Sequence, residues 1–281
     1  MAVKFLSRCL CLAIVFAVGH QTLSAKEPLK IYIETDLEGA SGVYKFSQTR
    51  EKDSPLNLAA CRYLMDDIAA VVRGLREAGV QKIIILDGHG NQAFIPDYMV
   101  PGATYITGLP RGEVEPGLDA SCSGFILLGL HAMMGTRDGV LHHTQSSRGE
   151  NRYWYNGVES GEIVQSSAIA GHFGVPTIMV TGDEATCREA RKFLEPHCVT
   201  VAVKRGLARE SAELYPFQET RKALYEGGKR AVAAIPQCKP FRLQLPIKAK
   251  KQWLSFDAQN PKGKLLTKEG EIPDMLHILD F

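Results

Sequence analysis

The stretch KIIILDGHG, residues 82–90, joins a short apolar run to a polar turn that contains two glycines. Its consecutive apolar residues are typical of a strand that is buried on both faces, as in a parallel sheet covered by helices. Asp87 and His89 follow directly, so two side chains that can take part in chemistry stand where this predicted strand ends. The stretch therefore predicts a parallel sheet with a polar site at its edge.

Helical patterns alternate with further apolar runs on both sides of this stretch. Between residues 54 and 78, apolar residues recur at helical spacing, with Ser54 as the N-cap and Pro55 in the first turn. Further strands are predicted at 30–35, 104–107, 124–132, 177–182 and 199–204. Further helices are predicted at 160–172 and 183–194, and residues 209–234 are predicted to be mostly helical with an interruption near Pro216. The alternation predicts an α/β fold with a mainly parallel central sheet, helices on both faces and a smaller C-terminal subdomain.

The first 25 residues differ from the rest of the chain. Lys4 and Arg8 precede the apolar run CLCLAIVFAVG, and Ala25 is the predicted last residue before cleavage. A basic start, a short apolar core and a small residue at the end are typical of a cleavable secretory signal peptide. The apolar run is shorter than the roughly 20 residues that a membrane-spanning helix needs. We therefore expect a secreted or periplasmic protein that has no membrane contact after the signal is removed.

Composition and cysteine content limit the classes of protein that this chain can belong to. The 281 residues are 45% hydrophobic and carry a net charge of +2, which gives no general attraction to nucleic acid or to anionic membranes. Signal removal leaves five widely spaced cysteines without a CxxC motif, so the chain is not a disulfide scaffold. One disulfide, with Cys187 and Cys198 as the nearest pair, or buried free thiols are both compatible with this pattern.

Carboxylates and histidines stand at the ends of three predicted strands. Asp36 and Glu38 follow the first strand, His89 follows the second and His131 follows the third, while Glu162 opens a predicted helix. In an open α/β sheet, sites form beyond the carboxyl ends of the strands. Each residue alone could be a cap, a loop residue or a solvated charge, but capping does not explain why strand after strand ends this way. Two histidines and three carboxylates are the usual ligand types of hydrolytic zinc centres, and five suffice for two metals that share one ligand.

An ordered set of segments resembles the DppA-type D-aminopeptidase family, whose members are dinuclear zinc metallopeptidases. The segments are KIYIETDLEGASGV, ILDGHGN, ILLGLHAM, GVLHHT, YNGVESGEI, VPTIMVTGDEA and TVAVKRGLARESA. Together they extend over residues 30 to 212, in the order of the family. The resemblance implies an aminopeptidase that hydrolyses short peptides with an N-terminal D-amino acid, such as D-Ala-type dipeptides, by a metal-activated water.

The same resemblance implies a role for each matching residue. Asp36 corresponds to the carboxylate that bridges two zinc ions. Glu38 and His131 correspond to further ligands of one zinc, and His89 and Glu162 to ligands of the other.

The resemblance also implies a catalytic histidine in the segment GVLHH. His143 takes this role, and the adjacent His142 is its competitor because the preceding loop carries one residue more than is usual in the family. Family members form ring-like oligomers, so the resemblance implies a homo-oligomer as well as a short peptide substrate.

These interpretations divide the chain into three parts. Residues 1–25 are the signal peptide, 26–204 the α/β metal-binding catalytic domain, and 205–281 a C-terminal helical and β region of the same enzyme.

Other functions remain compatible with these residues. A metal-dependent amidase that acts on a non-peptide amide would use the same site. A non-catalytic periplasmic protein that binds metal or peptide would not need a proton carrier such as His143, and a purely structural α/β module would bind no metal. Manganese or cobalt could serve in place of zinc.

Overall fold

Seven strands form a central, mainly parallel sheet in the computed structural model, which describes residues 28–257 and 260–281. The predicted signal peptide, residues 1–25, lies outside the described residues. The strands are β1 (Lys30–Thr35), β2 (Lys82–Asp87), β3 (Thr104–Ile106), β4 (Gly124–Leu128), β5 (Arg152–Tyr155), β6 (Val158–Ser160), β7 (Thr177–Asp183), β8 (Val199–Ala208), β9 (Ser211–Leu214), β10 (Ile247–Ser255) and β11 (Lys264–Ile272). The α-helices are α1 (Phe46–Arg50), α2 (Pro55–Glu77), α3 (Glu162–His172), α4 (Glu184–Phe193) and α5 (Phe217–Ala234).

The strand order of the central sheet creates a switch point at β1. The order is β3-β2-β1-β4-β7-β8-β9, and every neighbouring pair is parallel except the last, β8 with β9. The chain runs outward from β1 through β2 to β3, then returns to place β4 on the other side of β1. Ligands of open α/β sheets bind outside the carboxyl ends of the strands at such a point. The predicted strand-end residues of β1, β2 and β4 meet there.

Helices cover both faces of this sheet, so the predicted fold class is confirmed. On one face, Ile33 of β1 lies in an apolar core layer with Ile68 of α2. On the other face, Tyr32 of β1 lies in a second core layer with Ile163 of α3. The helix α2 matches the predicted one closely: the Ser54 side chain accepts a hydrogen bond from the backbone N–H of Asn57, as expected of an N-cap.

A second, antiparallel sheet joins the C-terminal region to the rest of the chain. Its strand order is β11-β10-β5-β6, so strands from 247–272 pair with a hairpin from 152–160. The strand β8 also runs continuously across position 204, where the predicted catalytic domain ends. The C-terminal region therefore shares both sheets with the preceding part.

One predicted helix is wrong in its first part. Residues 209–216 do not continue the helix of 217–234 but contain β9, which pairs with β8 through Arg205 and Glu213, among other positions. The hydrogen-bonding edge of β8 outweighs the local helical preference of this segment, because strand formation depends strongly on the available neighbour.

The described cysteines form no disulfide. All of them are buried free thiols: Cys61, Cys122, Cys187, Cys198 and Cys238. Over residues 28–257 and 260–281, no helix combines the length and the apolar character needed to cross a membrane.

Candidate metal centre

The end of β1 carries Asp36 and Glu38 into a tight loop beside β4. The backbone N–H of Asp36 still donates to the Leu128 carbonyl, at 2.9 Å, and the N–H of Gly39 donates to the Gly129 carbonyl, at 2.7 Å. A Cβ atom at Gly39 would collide with the backbone of Gly129 and Leu130. Only glycine lets the loop pass this close, and the loop holds both carboxylates at the switch point.

His89 presents one ring nitrogen to these two carboxylates. Its Nδ1 lies 3.0 Å from Oδ1 of Asp36 and 3.1 Å from Oε2 of Glu38. Its Nε2 lies 3.1 Å from the backbone oxygen of Thr49. Since a carbonyl oxygen can only accept, Nε2 carries the hydrogen in the neutral ring and the lone pair of Nδ1 faces the carboxylates.

His131 reaches the same point from β4. The strand ends at Leu128, earlier than predicted, because Gly129 adopts a φ of +78° and turns the chain. The Nδ1 of His131 lies 3.0 Å from the Ala132 carbonyl, which fixes the hydrogen on that nitrogen. Its Nε2 then faces Oδ2 of Asp36 at 3.4 Å and Oε1 of Glu162 at 3.5 Å.

The five predicted metal ligands therefore converge, and Asp36 lies between two groups of donors. Potential ligand atoms of Asp36, Glu38 and His89 lie within 4.8 Å of one another, as do those of His131, His143 and Glu162. The two oxygens of Asp36 face different histidines. Glu38 lies beside His89, and Glu162 lies beside His131, so this pairing differs from the division that the family resemblance implies.

The electrostatics of the cluster favour an added positive charge. Burial lowers the pKa of His131, but the carboxylates of Glu162, Asp36 and Glu38 outweigh it and raise the value to about 10. The pKa of His89 is likewise raised well above its usual value, because the same kind of carboxylate attraction exceeds the effect of burial. Burial, together with the charge of Glu38, raises the pKa of Asp36. The histidines thus hold protons strongly where no other cation is bound.

One ligand atom shows that the residues present fit a metal ion. Among the described residues, Nε2 of His131 is buried without a hydrogen-bond partner, and the facing oxygens of Asp36 and Glu162 lie 3.4 and 3.5 Å away. Buried polar atoms are normally satisfied, so this nitrogen, aimed at a cluster of carboxylates, indicates a missing partner. In both His89 and His131, the ring nitrogen that points away from the carboxylates lies within hydrogen-bond distance of a backbone carbonyl, which orients the ring. Metal-ligating histidines usually have such a partner on their other nitrogen.

The rings of the adjacent residues His143 and His142 face different surroundings. The ring of His143 stacks on His131 with 3.8 Å between ring centroids, and it lines the cavity above the cluster. The ring of His142 turns away, and its Nδ1 accepts a hydrogen bond from the Gly135 N–H at 3.1 Å. Burial and the charge of His131 lower the pKa of His143 to about 4. His143 is thus a neutral ring at the cavity, and its role in catalysis stays a prediction.

The cavity above the cluster has a volume of about 540 Å³ and is lined almost entirely by polar side chains. Asp36, Glu38, His89, His143 and Glu162 line it, while His131 lies behind them. Sequence reasoning missed other charged residues of the wall: Glu34, Arg50, Arg111, Glu115 and Arg148. For Glu34 a signal existed, since a carboxylate inside the apolar run KIYIET is unusual; the arginines and Glu115 lie in loops or at a helix end and have no comparable pattern.

This chain has an α/β sheet with histidine and carboxylate side chains grouped at its switch point. These features are typical of α/β-class hydrolases that use a metal centre. The chain belongs to the peptidase M55 family, D-aminopeptidase, whose sequence model matches residues 29–258. The enzyme class predicted from the sequence, a peptidase of the D-aminopeptidase type, is thereby confirmed.

A curated relative and a solved structure are similar to this chain. A D-aminopeptidase of Bacillus subtilis (strain 168) is 27% identical over 217 residues, which cover 76% of this chain and 77% of that protein. The solved structure of the Zn-dependent D-aminopeptidase DppA from Bacillus subtilis, described as a self-compartmentalizing protease, matches with a TM-score of 0.79. That match covers 90% of this chain and 94% of the other at 20% identity, so it supports the fold.

Proposed function

We propose that this protein is a zinc-dependent aminopeptidase that removes N-terminal D-amino acids from short peptides, including D-Ala-type dipeptides. One observation carries the proposal. Two histidine nitrogens, each oriented from behind by a backbone carbonyl, face the two oxygens of Asp36 at the edge of a cavity. This is the donor arrangement of a two-metal site in which one carboxylate is shared.

Two zinc ions would be held in this arrangement, with Asp36 as the bridge. Glu38 and His89 would complete one site, and His131 and Glu162 the other. Bound zinc supplies Lewis acidity for the peptide carbonyl and lowers the pKa of water. The protein holds these ligands rigidly: the Gln145 N–H donates to Oε1 of Glu162 at 2.6 Å, for example.

His143 is the proposed proton carrier. The Nδ1 of its ring lies 2.8 Å from the Leu141 carbonyl and therefore donates to it, which leaves Nε2 free to accept a proton. In the neutral ring this nitrogen enters the reaction as a base. Nε2 takes a proton from the water as its oxygen bonds to the peptide carbonyl carbon, and it returns the proton to the amine nitrogen as the C–N bond breaks, which is general acid–base catalysis by one residue.

Location and assembly belong to the same proposal. The predicted signal peptide at 1–25 supports an exported enzyme, secreted or periplasmic, that meets D-alanine peptides from the cell wall. The description of the Bacillus subtilis relative as self-compartmentalizing supports a homo-oligomer. Light scattering on the chain without residues 1–25 tests the assembly, and a monomer at every concentration would contradict it.

The decisive experiment combines metal content with turnover. Zinc per chain and hydrolysis of D-Ala-D-Ala and L-Ala-L-Ala are measured for the wild type, for Asp36→Ala and for the control Asp97→Ala, which removes an exposed carboxylate. We expect close to two zinc ions per chain and a preference for the D-peptide. Asp36→Ala should lose both metal and activity. Full metal and activity in that variant would overturn the proposal.

The same preparation separates the competing functions. Faster release of amine from simple amides than from peptides would favour a non-peptide amidase. Tight peptide binding without turnover in the zinc-loaded protein would favour a binding protein.

A further inference from the structure

Two carboxylates outside the proposed metal ligands line one end of the active-site cavity. Glu34 projects from β1 on the same face as Tyr32, where the helix α3 packs and Ser166 of α3 lines the same cavity. Glu115 lies in the segment between β3 and β4 and is only 8% exposed. The cavity therefore contains acidic groups that the hydrolysis described above does not use.

Neither carboxylate has a full set of partners. Oε2 of Glu34 and Oε2 of Glu115 are buried without a hydrogen-bond partner among the described residues. The neighbouring cation, Arg111, donates to the backbone oxygens of Gly108 and Asp87, at 3.2 and 2.7 Å. It forms no ion pair with either glutamate within residues 28–257 and 260–281. Buried carboxylates without a paired cation are costly, so this end of the cavity is prepared for a positive group.

Two further arginines, Arg50 and Arg148, line the same cavity. Arg50 ends the helix α1, which belongs to the other face of the sheet, and it donates to the Ser147 carbonyl at 2.7 Å. Arg148 lines the same wall and is exposed. Glu34 thus lies on the α3 face of the sheet, whereas Arg50 belongs to a helix that packs in the core layer of the other face.

We propose that Glu34 and Glu115 form a subsite that binds an alkylammonium group of the substrate. An ammonium has several N–H donors and no acceptor, so it supplies the donors that the two orphaned oxygens lack. The proposal rests on the proposed peptidase function in one respect: it takes the ligand to be part of a peptide. It places the ammonium on the α3 face and leaves the arginines for a substrate carboxylate. A short zwitterionic peptide would then bind with its ammonium at the glutamates and its carboxylate at the arginines.

The test measures binding without turnover, so it does not depend on hydrolysis. The probes are D-alaninol, which has an α-ammonium and no scissile bond, N-acetyl-D-alaninol, which has no ammonium, and Nα-acetyl-D-lysinol, whose ammonium is in the side chain. Calorimetry on the protein as purified compares the wild type with Glu34→Gln, Glu115→Gln and Glu113→Gln. The last is a matched control, because Glu113 is an exposed carboxylate on the same loop as Glu115.

We expect the wild type and Glu113→Gln to bind an ammonium probe at least about tenfold more tightly than N-acetyl-D-alaninol. Each of Glu34→Gln and Glu115→Gln should lose most of this preference while keeping the zinc content of the wild type. Carboxylate-dependent binding of D-alaninol identifies the substrate α-amine as the ligand, and such binding of Nα-acetyl-D-lysinol identifies a side-chain amine.

Three results would overturn the subsite. One is equal affinity of the wild type for the ammonium probes and for the neutral probe. This result does not depend on whether any variant folds. Another is an unchanged preference in both glutamine variants, as expected if an amine binds to metal alone. The third is an equal loss in Glu113→Gln. Failure of the proposed function shows instead as absent zinc or absent D-Ala-D-Ala hydrolysis, in experiments that do not use these probes.

Discussion

The ammonium of Lys204 donates a hydrogen bond to the backbone carbonyl of Glu38 at a distance of 2.6 Å. The same ammonium reaches the carbonyls of Ala40 and Val43, at 2.9 and 2.5 Å. Lys204 is fully buried and comes from β8, two strands beyond β4. A charged side chain from a distant strand thus fixes the loop that carries two of the proposed metal ligands.

Removal of this ammonium should therefore loosen the metal loop. In Lys204→Met, three buried carbonyls lose their donor, and we expect a loss of about 2–3 kcal/mol in the free energy of unfolding. Zinc affinity should fall as well. Urea unfolding and zinc titration measure the two effects, and Lys222→Met serves as the control because Lys222 is exposed on α5. Equal behaviour of the two variants would exclude a role of Lys204 in the loop.

Replacement of the two adjacent histidines should give unequal results. His143→Ala removes the ring that lines the cavity, so we expect kcat for D-Ala-D-Ala to fall about 100-fold or more with zinc retained. His142→Ala removes a ring that does not line the cavity and accepts a backbone hydrogen bond from Gly135, so kcat should stay within a few-fold of the wild type. If His142→Ala alone abolishes turnover, the catalytic assignment within GVLHH is wrong.

The pH dependence of stability should report on Asp67. This carboxylate on α2 accepts a hydrogen bond from the Ser41 N–H at 2.8 Å, yet burial raises its pKa to about 6. A raised carboxyl pKa means that the folded state binds more protons than the unfolded one between about pH 4 and pH 6. The contribution of Asp67 to stability is therefore greatest below this window and is lost as the pH rises through it.

Asp67→Asn isolates this contribution. The amide oxygen can still accept from Ser41, while the titration is removed. We expect the difference in unfolding free energy between wild type and variant to change by about 2–3 kcal/mol from pH 4 to pH 7, with the wild type losing stability as the pH rises. Urea unfolding at several pH values measures it. A difference that does not vary with pH would contradict the buried titration.

Glycine at position 39 should be irreplaceable. In Gly39→Ala the new methyl group would meet the backbone of Gly129 and Leu130, so the loop must shift. We expect a loss of about 2–3 kcal/mol in stability and weaker zinc binding. Gly112→Ala is the control, since a Cβ there meets nothing within 4 Å. Thermal unfolding of both variants gives the comparison, and an unaffected Gly39→Ala would show that the loop is not tightly packed.

The cysteines should behave as inert buried thiols. Burial raises the pKa of Cys187 and of Cys198 to about 12, which suppresses the reactive thiolate. On the chain without residues 1–25, a thiol reagent should find almost no reactive group in the native state and all five in denaturant. A reductant should leave the melting temperature unchanged. Fewer than five thiols after unfolding would reveal a disulfide.

Much of the fold could be predicted from local patterns. The continuous apolar runs of β1, β2 and β7 identified buried parallel strands, because strands covered on both faces lack polar alternation. The segment 209–216 was misjudged because β9 exists only through its pairing with β8. The hairpin of β5 and β6 was missed for a similar reason: its partner β10 lies almost one hundred residues later in the chain.

For the candidate site, the sequence by itself determined which residues meet: parallel strands carry whatever follows them to one edge, so Asp36, His89 and His131 had to converge. Only the tertiary structure decided their arrangement. Glu38 lies beside His89, His143 rather than His142 faces the cavity, and Lys204 holds the loop. These relationships depend on side-chain directions and on contacts between elements far apart in the chain, and no local pattern of residues specifies such contacts.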